Sequence, residues 1–150
     1  ENGFPCPEVS GTTPSGETVK LSEFQGNYIV LSFWASWSEP CLDQMNQLKA
    51  LKREFSQANF PKSDSLVFFM FSLDNNEVAW KNTIQNDSLD WAIHATDLNS
   101  WESPVKQDFS LQTIPNNFLI DPEGVVIGQD LTAEEIKDIL EKQLNTASIR

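Results

Sequence analysis

The chain has 150 residues with 22 acidic against 10 basic side chains, a formal net charge of −12, and 39% apolar residues, of which the aromatics make up 11% of the chain. That length suits one domain with a real core, and the apolar content excludes a disordered chain. The acidic field excludes nucleic acid and an acidic membrane surface as partners, and no apolar run is long enough to span a bilayer.

The chain opens Glu-Asn-Gly, with no initiator Met and no signal peptide. It reads as a processed or trimmed protein whose address, or membrane anchor, was removed with an N-terminal segment. Residues 1–16 are rich in Gly, Pro, Ser and Thr and read as an irregular start with short strands. Thr18–Leu21 alternates polar and apolar and is expected to close a hairpin with Val9-Ser10. Tyr28-Ile-Val-Leu-Ser-Phe-Trp34 is a dense β-branched and aromatic run, expected as a strand buried on both faces. A helix follows, with Pro40 in its first turn and Leu42, Met45, Leu48, Leu51 and Phe55 near one stripe. Ser65–Leu73 is a second buried strand, and Asp74 with the two Asn after it caps a second helix from about Glu77 to Asn86.

Trp91–Ala95 reads as a short extended piece and Ser103–Phe109 as a short helix. Asn116–Asp121 is a third strand, Asp121-Pro-Glu-Gly124 a tight turn, and Val125–Gln129 the antiparallel return strand. Thr132-Ala-Glu-Glu135 is a capping box opening a last helix to about Leu144. The expected fold is a single α/β domain over residues 1–150. It has a mixed central sheet flanked by helices on both faces, with an N-terminal hairpin extension.

Trp34-Ala-Ser-Trp-Ser-Glu-Pro-Cys41 follows the first buried strand, Ile114-Pro115 precedes the third, and Phe118-Leu-Ile-Asp-Pro-Glu-Gly124 runs from the third into its turn. With Gly16-Glu-Thr-Val-Lys-Leu-Ser-Glu-Phe-Gln-Gly26 and Ser72-Leu-Asp, these stretches in this order resemble the thioredoxin superfamily. The match is closest to its TlpA/ResA-like thiol–disulfide oxidoreductases. The resemblance spans about residues 6 to 142. It implies a thioredoxin-like fold, a location in the bacterial periplasm or cell envelope, and protein or peptide thiols and disulfides as partners. It also implies that Ser38 to Cys41 sit at the start of the first long helix, that Pro115 is a cis-proline, and that a peptide groove lies beside it. Trp37, Glu39, Pro40, Ile114 and Asn116 would line that groove. No cofactor and no metal are implied.

One sulfur is missing from the motif. The dithiol cycle needs a thiolate that attacks a disulfide and a second thiol that resolves the mixed disulfide. The first works because helix N–H groups and the helix dipole lower its pKa from about 8.5 toward 7 or below. Here Ser38 holds that place, and a hydroxyl neither ionises readily nor forms a disulfide. The resemblance also implies acids at Ser32 and Gln44, and both positions are neutral. Losing the nucleophile and two ionisable partners together points to a natural non-redox site. Three readings remain open: a residual monothiol or protein-thiol binding role, a non-catalytic peptide-binding module, and an active oxidoreductase carrying an engineered Cys-to-Ser trap. Cys41 is expected to be an inert core thiol. The alternatives are a monothiol, if it is exposed, and a bridge to Cys6, the chain's other cysteine.

The remaining candidates reduce to structure. His94 is the only histidine, and a metal site needs three or four ligands, so it is read as a structural residue. Ser36 and Ser38 lack the glycines of a nucleophile elbow. Asp74-Asn-Asn-Glu77 lacks the spacing of a calcium loop. Trp34, Trp80, Trp91 and Trp101 are expected to pack, and Asn116 and Asn117 to pair through their backbones near the groove.

Overall fold

The computed structural model describes residues 3–58 and 66–149, and within residues 145–149 the backbone alone. One eight-stranded sheet organises it, in the order β1-β8-β7-β4-β5-β6-β2-β3. The strands are β1 (Phe4–Pro5), β2 (Ser10–Thr12), β3 (Thr18–Lys20), β4 (Tyr28–Trp34), β5 (Leu66–Ser72), β6 (Ile93–Thr96), β7 (Asn116–Ile120) and β8 (Val125–Gly128). The helices are α1 (Glu39–Glu54), α2 (Glu77–Asn86), α3 (Pro104–Asp108) and α4 (Ala133–Ile149).

β4 is buried at all seven positions because it has a neighbour on each side and a packed layer on each face. It runs parallel to β5 from Tyr28↔Leu66 to Trp34↔Ser72. It runs antiparallel to β7 from Ile29↔Ile120 to Phe33↔Asn116. β5 and β6 are also parallel, and the other pairs are antiparallel. Side chains alternate across the pleat, so β4 serves two cores. Tyr28, Val30 and Trp34 join Cys41, Met45, Leu48 and Leu51 of α1, Trp80 and Ile84 of α2, and Ile136 and Leu140 of α4. Ile29, Leu31 and Phe33 join Val9, Val19, Phe71, Phe118 and, from around α3, Val105 and Phe109. On that second face Phe33 packs its ring on Phe71, Phe109 and Phe118, with centroids 5.0 to 6.0 Å apart.

The main elements stand where the sequence puts them, with differences at the margins. Ser65, where the sequence begins the second strand, lies outside the described residues. The extended piece expected at Trp91–Ala95 becomes β6, starting at Ile93, because Phe69 to Ser72 offer it a parallel edge. The last helix runs past Leu144 to Ile149. β1, only two residues long, gave no periodic signal; it exists because Phe4 and Pro5 close the open edge of β8. Among the described residues no helix is long and apolar enough to cross a membrane.

The N-terminal hairpin β2–β3 joins the β6 edge of the sheet at the pair Thr12↔Thr96. Gly11 permits that approach, because a Cβ there would lie 2.9 Å from the Thr96 carbonyl oxygen and 3.0 Å from its nitrogen. Gly11→Ala should therefore lower unfolding free energy by about 1–3 kcal/mol, the usual range for overpacking, in urea melts of wild type and variant. A melt unchanged within error would refute the close approach.

Candidate functional site

The site is built where β4 ends. Trp34 closes the strand, residues 35–38 turn, and Ser38 stands at the N-cap of α1 with Pro40 in the first turn. Ser38 has extended backbone (φ −106°, ψ 110°), and its side chain makes no capping hydrogen bond. Its hydroxyl lies toward Cys41, where it favours the thiolate. The Cys41 amide returns to the Ser38 carbonyl at 3.1 Å. Cys41 itself is only 1% exposed, sunk among Trp34, Met45 and the rest of the α1 core. Burial raises its thiol pKa, outweighing the Ser38 hydroxyl and an Ala35 backbone hydrogen bond that favour the anion; the Asp74 carboxylate raises it further.

The loop is held by one buried carboxylate. Asp74 accepts from the Ser36 amide at 3.1 and 3.2 Å and from the Ser36 hydroxyl at 2.6 Å. It also accepts from the Ser72 hydroxyl, which in turn accepts from the Asp74 amide at 2.8 Å. The Leu73 amide donates to the Trp34 carbonyl at 2.7 Å. The segments leaving β4 and β5 are thereby tied side by side.

Pro115 enters from the other neighbour of β4. The Ile114–Pro115 bond is cis. The β4–β7 ladder ends at Phe33↔Asn116, so Pro115 and the Trp34–Ser38 loop leave adjacent strands at the same end of the sheet. Ile114 is half-buried and touches both cores. Glu39 and Pro40 are exposed, and Trp37 is 61% exposed.

The two neutral positions, Ser32 and Gln44, converge on Asn117. Ser32 is its register partner across the β4–β7 ladder, and both are buried. The Asn117 Nδ2 donates to Gln44 Oε1 at 2.7 Å and to the Leu131 carbonyl at 2.8 Å. An uncharged amide pair thus ties α1 to β7. Sequence reasoning gave Asn117 a backbone role only. The signal that could have found it was the pair of neutral residues at Ser32 and Gln44, which need a neutral partner. Asn116 keeps a buried Oδ1 without a hydrogen-bond partner.

A bridge between the two cysteines does not form: both are free. Cys6 lies across the sheet's opposite core, beside Leu21, Ile29, Ile120 and Gly124. Burial, and then the Glu8 carboxylate, push its thiol up to about 12. His94 is buried on β6, its ring edge-on to Trp34 at 5.8 Å. Its Nε2 donates to the Leu89 carbonyl at 2.6 Å, and its Nδ1 has no partner. Burial holds its pKa below the usual value, because a charge there would have nowhere to go.

A Redoxin family model matches residues 1–146. The chain belongs to the Redoxin family. Among its relatives is the thiol-disulfide oxidoreductase ResA of Bacillus thuringiensis subsp. konkukian, 26% identical over 144 residues, 96% of this chain and 77% of the relative. The thioredoxin-like protein YneN of Bacillus subtilis is 23% identical, covering 84% of this chain and 69% of its own. A solved thiol-disulfide oxidoreductase from Bacteroides fragilis superposes with a TM-score of 0.81 at 27% identity, over 92% of this chain and 98% of the other. The thioredoxin domain of a Bacteroides vulgatus oxidoreductase shares the fold, with a TM-score of 0.84 at 22% identity over 97% and 99% of the two chains. This Redoxin chain is a TlpA/ResA-like member of the thioredoxin superfamily, and the family's chemistry is thiol–disulfide exchange.

Two outcomes follow. In the folded protein Cys41 should stay unlabelled by 5,5′-dithiobis(2-nitrobenzoate) at pH 8 and react fully in denaturant; rapid labelling of the native state would show the thiol is open. His94 should make the protein sensitive to acid. Its folded pKa lies below the unfolded value of about 6.5, so its contribution is intact above that pH and is lost as pH falls toward the folded pKa, at up to about 1.4 kcal/mol per pH unit. His94→Gln should flatten that part of a stability–pH curve measured by urea melts. An unchanged slope would place the titration elsewhere.

Proposed function

We propose that this chain is an envelope-located, thioredoxin-fold binding protein that keeps its family's peptide groove beside Pro115 and has lost the two-sulfur cycle. Residues 1–150 act as one domain. The partners are protein or peptide segments of the kind the family handles as thiols and disulfides. The observation that carries this reading is the state of the only sulfur in the motif: Cys41 is enclosed at the start of α1 and its pKa is raised by burial.

Exchange requires an attacking thiolate and a resolving thiol. At Ser38 the attacking atom is an oxygen that cannot enter a disulfide. Cys41 is protonated at neutral pH and shielded, so the monothiol role loses the exposure it depends on. The engineered-trap reading needs a site otherwise equipped for proton transfer. Here Ser32, Gln44 and Asn117 are all neutral, and two of them are bonded to each other. That arrangement suits a groove whose floor no longer titrates. Trp37, exposed on the loop, together with Glu39, Pro40, Ile114 and Asn116, would supply the contacts, and Pro115 would shape the backbone they present.

Insulin reduction by dithiothreitol tests the loss of chemistry. The unaltered protein should remain at the uncatalysed rate. Ser38→Cys should also stay near it, because the neutral floor does not move protons. Turnover by the unaltered chain above background sinks the proposal. Strong turnover by Ser38→Cys alone favours the trap reading instead.

A further inference from the structure

We infer that the partner segment is cationic, and that its seat extends from the groove past the loop clasp onto the first turn of α2; this rests on the groove-binding reading above. Two large apolar side chains stand out of the described surface, Trp37 at 61% and Val78 at 67% exposure. They lie at the same end of the sheet. Trp37 is on the loop that leaves β4, and Val78 is in the first turn of the helix that follows β5. Those two strands are parallel and finish side by side at Trp34↔Ser72. Asp74 then holds the two loops together through Ser36 and Ser72. An exposed indole and an exposed valine thus stand at one end of the sheet, on segments that Asp74 ties together, and each offers an apolar anchor to a segment laid across them.

Charge selects the occupant. From Trp34 to Leu48 and from Leu73 to Lys81 the sequence holds Glu39, Asp43, Asp74 and Glu77 against one basic residue, Lys81. Asp74 is buried in the clasp, and Glu77 is paired with Lys81 at 3.1 Å. Glu39 and Asp43, one turn apart at the start of α1, remain exposed. The basic residues of α1, Lys49, Lys52 and Arg53, lie in its second half. An acidic partner would meet this rim and the net charge of −12 with like charge; a basic one is drawn in. The recognised chemistry is therefore a Lys- or Arg-bearing polypeptide segment with apolar residues to set on Trp37 and Val78.

The test uses two short cysteine-free peptides sharing a central Leu-Phe pair, one flanked by lysines and one by glutamates, titrated into the full chain. Nuclear magnetic resonance follows the Trp37 indole and the Val78 methyls. At low ionic strength the lysine peptide should bind at least about tenfold more tightly than the glutamate peptide and should weaken as salt rises. Glu39→Gln with Asp43→Asn should remove most of that preference. Trp37→Ser and Val78→Ser, both surface changes, should each weaken binding about fivefold. Equal affinity for the two peptides, or binding that ignores Trp37→Ser or Val78→Ser, overturns the inference. If both peptides bind equally and shift Trp37 and Asn116, the groove reading stands while the cationic partner is refuted. If neither peptide shifts any of these signals, both fall.

Discussion

The carboxylate of Asp74 is the constraint on which the site depends. It is almost wholly buried, and its oxygens collect the Ser36 amide, the Ser36 hydroxyl and the Ser72 hydroxyl. A buried charge left without such donors would be costly, so the loops that supply them are fixed once it is satisfied. Because Ser36 lies between Trp34 and Ser38, the clasp sets where α1 begins. With that start fixed, Cys41 turns inward, Trp37 turns outward, and Gln44 is carried over β7 to meet Asn117. The exposed and the enclosed parts of the site are two sides of one local geometry.

Under the binding reading proposed above, that geometry lets the family's shape persist without its two-sulfur chemistry. The shape needs β4, a clamped turn and a helix behind it, and hydrogen bonds with apolar packing supply all three. The chemistry needs a second sulfur and groups that change protonation state, and those were separable from the frame. Ser38 carries a hydroxyl at the N-cap of α1, ahead of the enclosed Cys41. Gln44 and Asn117 keep a polar link between helix and sheet without a titrating proton.

Much of this was legible in the residues. Tyr28–Trp34 announced a doubly buried strand because every position is apolar save Ser32, and the capping signals before α2 and α4 placed those starts. The motif Ser38 to Cys41 fell at a helix N-terminus because Pro40 suits a first turn. What escaped the sequence depends on contacts between distant segments. Asp74 looked like a helix cap, yet its carboxylate faces Ser36, 38 residues earlier. Asn117 looked like a ladder residue, yet its side chain reaches 73 positions back to Gln44. β1 has no periodicity to read and exists only because β8 leaves an edge open. The fold was carried by local pattern; the wiring of the site was carried by pairs no local pattern marks.

Cys6 leaves a practical consequence. With its thiol pushed up to about 12 and Cys41 enclosed, neither native sulfur competes for a maleimide or an iodoacetamide near neutral pH. A single cysteine engineered elsewhere on the surface would then be the preferred attachment point for a dye, spin probe or crosslinker, with both natural residues left in place.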